Sequence, residues 1–346
     1  MIGLVFLIGL FSIKTVVDAG EFKTITPHFD GSCDSIYGLE GPEDIILLND
    51  TTAIISADPR RIKDKNTSFY SYENKNSYSK QGSIFRYNIN TRELYDLTSE
   101  LEFEFHPHGI SIVESDNNIY LNAVNHTSNG NSVISFSLVD SRLVFIKEIS
   151  SPLLVSPNDL VMINENQFYI TNDHRNNNTM RKLVEDYLQL STSNILFYDG
   201  NNFKISKNKL KYANGINISK DFKKLYVSET LGKRIRVYNR NILSNDIELV
   251  EIIKVNSGVD NIELDQNGNL WIGSHPKLFD FSRHAKDKNH LSPSQVIVIS
   301  DHSYKITEVF LSDGSDMSGS SVAAIYDKNL LIGSVFEDHF LHCIID

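Results

Sequence analysis

Residues 107–126 read PHGISIVESDNNIYLNAVNH: a polar opening, an apolar strand, an Asp-Asn turn and a second apolar strand. Short β-branched runs bounded by Asp and Asn are strand signals, and two of them joined by a turn make a hairpin. The same grammar recurs along the chain. Glu43-Asp44 precedes IILLNDTTAIIS, and Asn158-Asp159 precedes LVMINENQFYIT. Asn214-Gly215 opens GINISKDFKKLYVS, Asp260-Asn261 precedes IELDQNGNLWIGS, and Gly319-Ser320-Ser321 precedes VAAIYDKNLLIGS. Between these pairs lie further strand signals such as SVISFSLV, NILFYDG, KRIRVYN and QVIVIS. Six units spaced by roughly 45–65 residues suit one four-stranded blade each, so the sequence predicts an all-β, six-bladed β-propeller. In a radial fold the polar openings converge on one axis, where oxygen-rich side chains scattered in sequence can meet.

Working outward from the repeats, helical periodicity is scarce. One short helix is expected over Met180–Leu190 (MRKLVEDYLQL), with apolar residues at helical spacing. Residues 58–81 are polar and aperiodic, a long loop in the first unit that reads either as a surface insertion or as a lid over the ring's mouth.

The N-terminus is apolar from Met1 to Ile13, with a small-residue context at Val17-Asp18-Ala19. Residues 1–19 read as a signal peptide or an uncleaved hydrophobic anchor, and residues 20–346 as the propeller. The expected location is secreted, with membrane or lipid-particle association if the leader is retained. Sequons stand at Asn49, Asn66, Asn125, Asn177 and Asn217, and Asn49, Asn66, Asn177 and Asn217 are the glycosylation candidates. Only two cysteines exist, Cys33 and Cys343, near opposite ends of the repeats. In a ring, first and last elements are neighbours, so a disulfide is the expectation and two buried thiols the alternative.

A net charge of -11 argues against a nucleic-acid partner, which needs a basic face. It is compatible with cation binding, and equally with an ordinary acidic surface. Glu43, Asn158, Asn214, Asp260 and Asn261 are hard oxygen donors of the kind calcium takes, whereas zinc prefers histidine or thiolate. Carboxylates forced together at an axis repel unless a cation neutralises them. His108 and His126 bracket one hairpin, so their imidazoles are neighbours. They read either as a proton relay or as a hydrogen-bonded structural pair. His174 and His275 end the second strands of their units and read as wall residues.

These residues sit in longer motifs: GPEDI (41–45), FHPHGIS (105–111), VNH (124–126), SPNDLV (156–161), FYITNDH (168–174), ANGINIS (213–219), VDNIELD (259–265), LWIGSHP (270–276) and LLIGSVF (330–336). In that order the chain resembles the serum paraoxonase/arylesterase family, calcium-dependent lactonases with a six-bladed propeller. The resemblance implies two calcium ions. A catalytic ion would be held by Glu43, Asn158, Asn214, Asp260 and Asn261, with Asn158 and Asn214 also positioned around the oxyanion. A structural ion would use Asp44, Asp159 and the backbone carbonyl of Ile110. It also implies a His108–His126 dyad acting on water, a Cys33–Cys343 disulfide and a small lactone or aryl-ester substrate. The chain departs from vertebrate members at His106, at Tyr212, and at Asp58-Pro59-Arg60-Arg61, which replaces a Lys-Tyr pair at the mouth. The competing reading is a calcium-stabilised secreted binding propeller without catalysis.

Overall fold

β-branched and aromatic side chains fit a pleated surface buried on both faces, and the runs that carry them here do form strands. The structure, a computed structural model, describes residues 2–61 and 81–346. It is a ring of six antiparallel sheets, each with four strands ordered from the axis outward. The inner strands of blades 1 to 6 are Pro42–Asn49, Pro107–Ser115, Pro157–Asn164, Ala213–Ile218, Gly258–Leu264 and Ser320–Tyr326. Blades 1 to 5 take their four main strands consecutively, and blade 5 gains a short fifth from His28–Phe29.

Blade 6 is composite. Its outermost strand is Gly31–Tyr37 from the start of the chain, paired in continuous register from Gly31↔Ile345 to Tyr37↔His339. Cys33 and Cys343 face each other in that ladder and form the disulfide, with Cα atoms 3.9 Å apart and a sequence separation of 310. The ring is therefore shut by seven cross-strand pairs and one covalent bond.

Apolar packing fills the gaps between blades rather than one central core. Six clusters occur, one per gap. Ile45, Tyr87, Val322 and Phe340 join blades 1 and 6, and Ile54, Ile84, Ile110 and Phe136 join blades 1 and 2. Each fully buried Ile or Phe contributes about 1.5–3 kcal/mol of transfer free energy. The axis is thereby left to polar groups.

Among the described residues, three helices accompany the strands. Helix α1 spans Ile2–Asp18 and coincides with the apolar leader. Its end is tied to the ring where Leu278 N–H donates to Ala19 O (2.9 Å). Among the described residues no helix is long and apolar enough to cross a membrane. Helix α2, Thr179–Tyr187, lies where one helix is expected, and the Asn178 side chain caps it by accepting from Arg181 N–H. Helix α3, Leu278–His284, is an addition to the expected single helix. Its seven residues are too few for a periodic signal. Of the 58–81 loop, residues 62–80 and the Asn66 sequon lie outside the described residues.

Candidate active site at the propeller axis

Each inner strand carries a register irregularity on the polar opening of its unit. The shifts lie between Pro42 and Asp44, Pro107 and Ile110, Pro157 and Leu160, Ala213 and Ile216, Val259 and Ile262, and Ser320 and Val322. A bulge releases one or two residues from the ladder and re-aims their side chains. The released residues are Glu43, His108-Gly109, Asn158-Asp159, Asn214-Gly215, Asp260-Asn261 and Ser321. Gly109 and Gly215 let neighbouring blades close in. A Cβ on Gly109 would come within 2.4 Å of Asp159 Oδ1, and one on Gly215 within 2.6 Å of the Asn261 Cα.

The released side chains stitch blade to blade. Asn261 Nδ2 donates to Glu43 Oε1 (3.0 Å), and Ser321 Oγ donates to Glu43 O (2.6 Å). Asp44 Oδ2 accepts from Ile110 N–H and Asp159 Oδ2 from Ile216 N–H, both at 2.8 Å. The sixth opening, which offers no carboxylate, thus serves as an anchor for Glu43.

Five buried oxygens on these strands have no hydrogen-bond partner among the described residues: Glu43 Oε2, Asn158 Oδ1, Asn214 Oδ1, Asp260 Oδ1 and Asn261 Oδ1. Their companion atoms are occupied. Asn158 Nδ2 points to Asp173 Oδ2 (3.5 Å), Asn214 Nδ2 donates to Thr230 Oγ1 (3.2 Å), and Asp260 Oδ2 accepts from His275 Nε2 (2.8 Å). A buried polar atom left unpaired costs about 1–3 kcal/mol, so five on one ring of strands call for a partner. Five oxygens and no nitrogen or sulfur is the donor chemistry of a hard cation. One hydrogen of each amide points to a protein partner, Asp173 for Asn158 and Thr230 for Asn214, which turns the two amide oxygens to the unpartnered side.

Electrostatics separates the carboxylates. Burial pushes Glu43 up, but His108, with Nε2 3.4 Å from Oε1, and Arg60, 4.0 Å from Oε2, outweigh it and hold Glu43 down at about 2. Burial and the charge of Glu43 push Asp44 up to about 8. Burial and then Asp44 raise Asp159 well above the usual range. A cavity of about 160 Å³ below them is lined by Ile110, Asp159, Asn217 and Glu263. Burial and the charge of Asp44 raise Glu263 as well.

His108 and His126 meet as expected, with Nδ1 of the first 3.0 Å from Nε2 of the second. Burial, then the charge of His108, lowers His126 to about 3, so it is neutral. His126 Nδ1 lies 2.9 Å from Asn131 Oδ1. His106 turns away to Asp58 Oδ1 (2.8 Å). His275 stacks on Phe281 of α3 at 3.8 Å between centroids while holding Asp260, a supporting role beyond the expected place on the wall. His174 bridges Asp173 Oδ1 (2.6 Å) and Asp186 Oδ1 of α2 (2.9 Å). A separate trio, Glu337, Asp338 and His339, brings ligand atoms within 4.8 Å of one another away from the axis. Its Glu337 already pairs with His284 and its His339 with Asp316 O, so it competes poorly with the axial oxygens.

Asn131 and Thr230 had no signal in the sequence, and Arg60, Asp173 and Glu263 stood in quoted segments without a role, because each acts through another residue or from outside the repeated openings. Among the sequons, Asn49 and Asn177 are exposed. Asn217 corrects an expectation: its Nδ2, the atom a glycan would occupy, donates to Ile262 O at 2.7 Å, and the side chain lines the lower cavity.

The family model described as Arylesterase matches residues 64–345. Serum paraoxonase/arylesterase 2 of Homo sapiens is 33% identical over 338 residues, covering 92% of this chain and 88% of that protein. Serum paraoxonase/lactonase 3 of Oryctolagus cuniculus is 29% identical over 341 residues, covering 94% and 92%. Among solved structures, a gluconolactonase from Xanthomonas campestris superposes with a TM-score of 0.59 at 14% identity, covering 94% of this chain and 99% of that one. A luciferin-regenerating enzyme gives 0.57 at 11%, covering 91% and 95%. These two likenesses show the shared propeller fold.

Proposed function

The chain belongs to the arylesterase family of serum paraoxonases, and from that premise we propose that it hydrolyses lactones and carboxylic esters with bound calcium, His108 and His126 handling the proton of the attacking water. The observation that carries the proposal is the set of five unpaired buried oxygens on Glu43, Asn158, Asn214, Asp260 and Asn261. These residues would hold the catalytic ion. Asp44, Asp159 and the carbonyl of Ile110 would hold a second, structural one; burial and neighbouring carboxylates push both carboxyls up, and a cation would relieve that crowding of negative charge. When bound, calcium supplies positive charge that polarises a carbonyl and offsets the negative charge growing on its oxygen.

The chain's own residues do the rest. His275 and Thr230 turn Asp260 and Asn214 so that their free oxygens face away from the protein partners. His108 presents Nε2 on the Glu43 side, where it can accept a proton from water. His126, neutral and 3.0 Å from His108 Nδ1, supports the imidazolium that forms. A base and a set of orphaned ligands on one ring favour catalysis over a purely scaffolding propeller, which needs neither.

The direct test is hydrolysis of a simple aliphatic lactone with and without EDTA. Chelation, Glu43→Gln and Asp260→Asn should each abolish it. Activity that survives all three refutes the cation's role, and near-normal activity in His108→Gln refutes the base. Titration with calcium should find two sites; one site with no hydrolysis would favour the scaffold. The proposal includes secretion, supported by the apolar leader and the disulfide, with lipid association through the leader and glycans at Asn49 and Asn177.

A further inference from the structure

We propose that Asn131 is a positioning residue that fixes which nitrogen of His126 and of His108 carries its proton, and so makes Nε2 of His108 the basic atom. This rests on the two histidines handling the proton as proposed above.

Asn131 lies on the third strand of blade 2, opposite His126 in register. One end of its amide lies 3.1 Å from Leu154 O and 3.0 Å from Val155 O. Carbonyls only accept, so that end is the NH2 and the other end is the oxygen. The oxygen lies 2.9 Å from His126 Nδ1. An amide oxygen also only accepts, so Nδ1 must carry the hydrogen. In the neutral ring Nε2 is then an acceptor. It lies 3.0 Å from His108 Nδ1, which must therefore donate. A neutral His108 therefore keeps its lone pair on Nε2, and once that atom takes a proton it can donate to Glu43 Oε1, 3.4 Å away, which only accepts. Two backbone carbonyls at the start of blade 3 thus decide, through three side chains, which atom at the axis can act as a base.

The same chain limits where a proton can go. One taken by His108 at Nε2 can pass from its Nδ1 to His126 Nε2, one N–H bond breaking as the other forms. It goes no further, because the group beyond is an amide oxygen rather than a carboxylate. The pair stores one proton and returns it by the route it came. Without Asn131, His126 is free to carry its hydrogen on Nε2. His108 Nδ1 must then accept, and its Nε2 becomes protonated and useless as a base.

Two variants separate this from a structural role. Asn131→Leu and Asn131→Asp both lose the bonds to Leu154 and Val155, but only the aspartate keeps an acceptor for the His126 Nδ1–H. Lactone hydrolysis should lose about tenfold or more in kcat with Asn131→Leu at a near-constant KM, and recover to within about threefold of wild type with Asn131→Asp. In resting protein carrying 15N-labelled histidine, NMR should show the Nδ1–H form of His126 in wild type and Asn131→Asp and the Nε2–H form in Asn131→Leu. Equal kcat losses in both variants, or an unchanged His126 tautomer in Asn131→Leu, overturn the proposal. Near-normal activity in His108→Gln would instead overturn the proton-handling pair itself, while the His126 spectra still judge Asn131.

Discussion

Removing the covalent closure of the ring should lower its melting temperature by an amount the topology sets. The Cys33–Cys343 bond closes a loop of 310 residues. In the chain-entropy model a loop of that length restricts the unfolded ensemble by about 5–6 kcal/mol at 25 °C. Unfolding entropy of about 2.1 cal/mol/K per residue across 346 residues converts this into a fall of about 8 °C. The perturbation is the double variant Cys33→Ala/Cys343→Ala, followed by calorimetry and by hydrogen exchange below the transition. The seven backbone pairs between Gly31–Tyr37 and His339–Ile345 survive the substitution, so the ring should still close and lactone hydrolysis should persist at 25 °C. Exchange should rise most in Gly31–Tyr37, the strand no longer tethered, and least in the inner strands. A fall below about 3 °C, or exchange that rises evenly round the ring, would refute the reasoning, because closure would then owe nothing to the long loop.

Three further outcomes follow from the charges at and near the axis. In the calcium-free protein Asp44 titrates at about 8, above the ordinary 3.8, so its contribution to stability is full below about pH 4 and is lost as pH rises through 8; melting temperature should fall across that window and calcium should flatten the fall. A steeper fall with calcium than without would contradict this. Arg60 sits 4.0 Å from Glu43 and its positive charge opposes a cation there, so Arg60→Met should tighten calcium binding by at least about tenfold by calorimetry; equal or weaker binding would count against a charge effect. His174 is desolvated, but Asp173 and Asp186 outweigh that and raise it to about 10, while His126 is lowered to about 3, so neither ring should titrate by NMR between about pH 5 and 8, the first staying charged and the second neutral.

Much of the fold could be read from the sequence because strand pairs and their polar openings repeat, and repetition is visible without any contact. The axial ligand residues were legible for the same reason: each occupies one place in one unit. What escaped was whatever depends on the far side of a side chain. The sequence presents Asn214 as an oxygen donor, but only Thr230 shows which end of its amide is free. It presents His275 as a strand end, but only Phe281 and Asp260 show that it is a prop. Asn217 sits in a glycosylation sequon and turns inward, because alternation along an inner strand, which a sequon cannot register, decides its direction. The bulges were invisible too, since an unpaired residue looks like any other until the opposite strand is laid beside it.

Those six irregularities also separate two demands that most sheets impose on the same residue. A side chain in a regular ladder must suit its cross-strand partner and its face of the sheet, so exchanging it disturbs the packing. The residues released at Glu43, His108, Asn158, Asn214, Asp260 and Ser321 have no such partner. Each is a socket whose occupant can be changed while the apolar seams between blades stay as they are. A fold of this kind can take up a new reaction by exchanging a handful of side chains round one ring, with most of its apolar burial set elsewhere.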